Sequence, residues 1–139
     1  MSARRKARKR ALDELYSVDV KGVTLEEAFP DIVNQAEADQ PRLSTWPYAR
    51  QILEGVIEHG VQLDAVLSAT STSWPLERMP LVDKAILRMG AWELLFNPDV
   101  EPAVVISEAV DLANEMSTES SGAFVHGILA AIAREHRMS

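Results

Sequence analysis

The chain has 139 residues, of which 47% are hydrophobic and 25% charged, and it contains no cysteine; this is the composition of a globular domain with one core, and it excludes a disordered tract, disulfides, thiol nucleophiles and thiolate metal sites. The formal charge of −7 hides a division, because residues 1–10 hold six bases and no acid, +6, while the other 129 residues sum to −13. No apolar run approaches the ~18 residues of a membrane span, and Asp13 and Glu14 stand where a secretory leader needs apolar residues, so a cytoplasmic protein without membrane attachment is expected.

Strand signals are weak and helical periodicity recurs along the whole chain. A first helix is predicted from Ala3 to Lys21, with Ala7, Ala11, Leu15 and Val18 as its inner stripe and Gly22 as its stop. Thr24 and Glu27 have capping-box spacing and open a second helix with Phe29, Ile32, Val33 and Ala36 inward, in which Pro30 threatens a kink. A polar connection from Asp39 to Thr45 leads into a long helix whose first turn holds Pro47 and whose face carries Tyr48, Ile52, Val56, His59, Leu63 and Val66. Ser68 to Ser73 reads as a loop and Pro75 to Met79 as a short turn. Pro80 opens a helix with Leu81, Ala85, Met89 and Trp92 on one side, ending before Asn97 and Pro98. Pro102 begins the next, with Val105, Ala109, Leu112, Ala113 and Met116 apolar, and Ser117 to Ser121 offers N-caps to a last helix carrying Phe124, Ile128, Leu129 and Ile132. The expected fold is all-α: a compact bundle of about six or seven helices, a small N-terminal helical unit packed on a larger C-terminal one, forming a single domain over residues 1–139 with a basic arm at 1–10.

That arm carries the functional reading. On a helix, Arg4 with Arg8, Arg5 with Lys9 and Lys6 with Arg10 form three adjacent basic rows, and Ala7 with Ala11 forms the fourth. Such rows repel one another, and cations at a helix N-terminus oppose the macrodipole by ~0.3–1 kcal/mol each. Stability alone does not select them, whereas a polyanion relieves the repulsion; six contacts to a single strand would give log K a salt slope of about −4, at ~0.7 per charge. A solubilising tail is the plain alternative. A membrane-surface helix would need bulky apolar residues opposite the charges, and residues 2–10 supply only alanines.

The segments RRKARKRALDELY, VDKAILRMGAWELL and PAVVISEAVDLANEMSTESSGAFVHGIL, in this order and spacing over nearly the whole chain, resemble the NusB family of transcription antitermination factors. The resemblance implies an all-α, non-enzymatic protein that binds the boxA element of nascent ribosomal RNA transcripts. It implies partnership with NusE, a small-subunit ribosomal protein, and recruitment with other Nus factors to RNA polymerase. By position, the family's arginine-rich motif falls on Arg4, Arg5, Lys6 and Arg8, extended here by Lys9 and Arg10, and a second RNA-facing region falls on Ser120 to Phe124. Phe124 would offer a stacking face to an unpaired base, with core packing beside Ile128 and Leu129 as the alternative. Tyr16 matches a position near both RNA and partner, with core packing equally open, and Asp83, taken as an exposed carboxylate, is the polar contact implied for NusE. Arg88, Glu93 and Glu108 also match family positions but read as structural ion pairs. Ser120 stands where many relatives have an acid, His126 where asparagine is usual, and a frequent lysine is missing near Asn114.

His59, His126 and His136 are scattered without metal-ligand spacing, and no glycine-rich phosphate loop or nucleophile elbow occurs. No cofactor and no catalysis are therefore expected. Some RNA cytosine methyltransferases carry a NusB-like domain ahead of their catalytic domain, but this sequence holds no cofactor-binding α/β unit. The competing class is a protein-binding helical adaptor, or a homodimer, whose basic arm contacts an acidic partner.

Overall fold

The computed structural model describes residues 2–136. Among these, six α-helices and two short 3-10 helices follow one another without a strand, and the chain divides after Glu58 into two compact units.

The first unit contains α1 (Ala3–Lys21), α2 (Leu25–Ala38), a 3-10 segment (Gln40–Thr45) and the opening turns of α3 (Trp46–Thr70). Ser2 caps α1 by accepting the Arg5 N–H at 3.1 Å. Gly22 ends it at φ 71°, a left-handed conformation that lets the Gly22 and Val23 amides close on the carbonyls of Asp19 and Val18. The Thr24–Glu27 capping box forms as read from sequence, and α2 runs through Pro30, which is exposed, to Ala38. Ala7, Ala11, Leu15 and Val18 are buried as expected, joined by Leu12, Ile32, Ala36, Trp46, Ala49, Ile52 and Leu53. The polar connection is ordered rather than open, because the 40–45 segment packs on both α1 and α2.

The second unit begins in the later turns of α3, where Leu63 and Leu67 are buried. The helix passes the break expected at Ser68: the Thr70 hydroxyl and the Ser71 amide donate to the carbonyls of Val66 and Leu67, both at 2.8 Å, completing a last turn. A 3-10 helix (Leu76–Arg78) then leads to α4 (Leu81–Phe96), α5 (Pro102–Met116) and α6 (Ser121–His136), each packed on the other two. Their shared core holds Ile86, Leu87, Met89, Val105, Leu112, Leu129 and Ile132. Gly90 permits the close approach of α4 and α6, since a Cβ there would stand 2.7 Å from Leu129 Cδ1. Arg88 forks onto Asp64 at 2.8 and 2.9 Å, joining α4 to α3, and the His59 ring stacks on Phe96 at 3.7 Å. No described helix is long and apolar enough to cross a membrane.

Candidate nucleic-acid interface

The six bases of the opening helix do not behave as three equivalent solvent-facing rows. Arg8 is 3% and Arg10 8% exposed, which corrects the expectation that all six bases are open to a polyanion. The reason is visible around Arg10. One guanidinium nitrogen donates to the Arg42 carbonyl at 2.7 Å and to the Thr45 hydroxyl at 2.9 Å, the other lies 3.8 Å from the Asp39 carboxylate, and the group sits 5.5 Å from the Trp46 ring centre. Burial and the nearby Arg42 cation lower its pKa from the ordinary guanidinium value. Arg10 is thus a strut that fixes the 40–45 segment against α1.

Arg4 and Arg8, one turn apart, both reach the Tyr48 ring, at 4.5 and 5.6 Å from its centre. Arg4 remains exposed beyond that contact, Arg5 and Lys9 are half-buried, and Lys6 is exposed. Lys6, Lys9, Asp13 and Tyr16 fall at spacings of three, four and three, so they share one side of α1, and Tyr16 is 41% exposed there rather than packed in the core. Between this side and the 40–45 segment lies a cleft of about 290 Å³ bounded by Lys6, Lys9, Arg10, Asp13, Arg42 and Ser44. Burial raises the Asp13 pKa against the opposing pull of Lys9 and Arg42. Arg42, whose side chain is 59% exposed and 3.6 Å from Asp39, was missed by sequence reading. It is a lone base in a polar connection, and its only signal is that it is the one cation between Lys21 and Arg50.

The second unit holds the other predicted residues. Ser120 is exposed and its hydroxyl lies 3.4 Å from that of Thr118. Phe124 is half-buried and borders a groove of about 260 Å³ with Ser71, Thr72, Ser73 and Gly127. Its ring tilts at 58° against Trp74, 5.2 Å between centres, so an aromatic pair stands where sequence offered a single ring. Asp83 is not an exposed partner contact. It is 1% exposed, and its carboxylate oxygens accept from Ser117 at 2.6 Å and Ser121 at 2.9 Å. Those serines, expected only as helix caps, turn inward to satisfy a buried carboxyl group and so pin the turn that carries Ser120. The segment from Ser121 is further fixed where Gly122 admits the Asn114 side chain, which any Cβ would meet.

Comparisons with known proteins agree with this architecture. The model of the NusB family matches residues 5–134. The transcription antitermination protein NusB of Clavibacter sepedonicus is 50% identical over 133 residues, covering 96% of this chain and 97% of that one; the protein of the same name from Kineococcus radiotolerans is 48% identical, with 96% and 94% covered. Among solved structures, T. maritima NusB superposes with a TM-score of 0.80 at 32% identity, covering 96% of this chain and 92% of that one. A chain from the crystal structure of antitermination factors NusB and NusE in complex with dsRNA gives a TM-score of 0.81 at 28% identity, with 98% and 99% covered. An all-α chain with a cationic first helix, matched over nearly its full length in sequence and in shape, belongs to the NusB family.

Proposed function

We propose that this protein is a non-enzymatic transcription antitermination factor. It binds boxA RNA of nascent ribosomal transcripts together with NusE and joins RNA polymerase with the other Nus factors in the cytoplasm. The observation that carries this reading is the cationic side of α1, where Lys6 and Lys9 border a cleft closed by Arg42 in a chain that is otherwise strongly acidic. Two features support it further: relatives at 50% identity bear the antitermination name, and a structural neighbour was crystallised with NusE and RNA.

Within this proposal residues 1–139 act as one RNA-binding domain. Arg4, Arg5, Lys6 and Lys9 meet the strand, Arg8 and Arg10 hold the helix and its neighbouring segment in place, and Tyr16 continues the contact side toward RNA or NusE. Phe124, paired with Trp74, supplies a stacking face beside Ser120. Titrating a boxA-like strand and a scrambled strand, with and without NusE, across salt concentrations tests the proposal. Preference for the boxA-like strand that strengthens with NusE is expected; equal affinity in every condition would leave only nonspecific cation binding.

A further inference from the structure

The cleft beside α1 contains a group that a simple phosphate cradle would not. Lys6, Lys9 and Arg42 bring three cations to its rim, and Asp13 places a carboxylate among them. A carboxylate repels phosphate, so its presence weakens any purely electrostatic site. Lys9 and Arg42 both attract it, yet a lysine four residues ahead of an acid is the less favourable order on a helix. A nucleotide, in contrast, presents both kinds of group. Its phosphate matches the cations, and the exocyclic amino group of adenine or cytosine matches a carboxylate acceptor. Lys9 and Asp13 are ~6 Å apart along the helix axis, a separation that the two ends of one nucleotide can bridge. The cleft volume, about 290 Å³, lies at the bottom of the ~300–1,000 Å³ range of small-ligand sites, which suits a single unit of a chain.

Building on the RNA reading above, we infer that this cleft is a base-selective subsite for one unpaired nucleotide. Lys6, Lys9 and Arg42 hold its phosphate, and Asp13 accepts a hydrogen bond from the amino group of adenine or cytosine. Uracil, which carries a carbonyl at the corresponding position, is disfavoured.

The test compares the binding of the full chain, as parent, Asp13→Ala and Arg42→Ala, to short oligo(A), oligo(C) and oligo(U) strands over a range of salt. Arg42→Ala keeps the strut in place, because Arg10 bonds the Arg42 backbone carbonyl and not its side chain, and circular dichroism verifies both variants. The parent should favour oligo(A) and oligo(C) over oligo(U) by about tenfold. Asp13→Ala should collapse that preference, with oligo(U) binding gaining most. Arg42→Ala should weaken all three strands alike and reduce the salt slope by ~0.7. If Asp13→Ala strengthens all three equally, the carboxylate acts only through bulk charge and the subsite is wrong while RNA binding stands. If the parent binds a boxA-like strand but none of these three, the subsite is wrong while the RNA reading stands; if it binds no strand even with NusE, a boxA-like one included, the RNA reading fails and the subsite with it.

Discussion

Arg10 shows how a residue type read for one task serves another. Its guanidinium is spent inside the first unit, on the Arg42 carbonyl, the Thr45 hydroxyl and the Asp39 carboxylate. Arg10→Ala should therefore cost about 2–4 kcal/mol of stability, since it leaves buried acceptors without a charged donor; urea unfolding measures the loss, and an unchanged midpoint would put the strut in doubt. Beside it, burial raises the Glu14 pKa from the ordinary 4.5 while Arg10 pulls the other way. A carboxylate with a raised folded pKa binds its proton more tightly in the folded state, so its unfavourable contribution is complete above that pKa, fades as pH falls from there toward 4.5, and is gone below it. Glu14→Gln should accordingly be more stable than the parent near neutrality, with the gap closing in acid; parallel stability curves from pH ~4 to ~8 would refute this. The sequence declared which residues are cationic but not which cations are free, because Arg42 and Thr45 are more than thirty positions from Arg10 and nothing local announces their meeting. Asp83 was misplaced for the same reason: its serine partners lie 34 and 38 residues away.

At the scale of single helices the sequence was far more legible. Gly22 at φ 71° and the Thr24–Glu27 box stand where their spacing put them, because caps are settled by residues within four positions of one another. The last turn of α3 was misread, since Ser68 to Ser73 is polar enough for a loop and yet Thr70 and Ser71 complete helical bonds. Gly90 was not legible as a packing residue either, for a glycine inside a helical pattern ordinarily weakens it. Here it earns its place through Leu129, whose methyl carbons would stand 2.7 and 3.1 Å from an added Cβ. Gly90→Ala should gain helix propensity and still lose stability overall, by about 1–3 kcal/mol, because both residues are buried and little can give way. The paired change Gly90→Ala with Leu129→Ala separates the two effects: if the crowding is real, the double variant will be more stable than the sum of the single losses predicts.

Across the whole chain the governing feature is charge segregation, +6 in residues 1–10 against −13 elsewhere. A polyanion is repelled by most of such a molecule and attracted by one end, so orientation is selected before contact is made. Removing residues 1–10 looks like the direct test, yet it would also take away Ala7, Arg8 and Arg10, all buried, and a loss of RNA binding would then report a damaged first unit. The outward cations can be removed more cleanly. Lys6→Gln with Lys9→Gln leaves the Arg10 strut and the Arg4 and Arg8 contacts with Tyr48 in place, so thermal stability should change little, as relief of repulsion along α1 offsets the lost attraction between Lys9 and Asp13. RNA affinity should drop most at low salt, and the slope of log K against log salt should shrink by ~1.4, at ~0.7 for each charge removed from contact with a single strand. A slope equal to that of the parent would mean that the strand is held elsewhere, and the opening helix would then be a structural element whose visible charge only keeps the chain in solution.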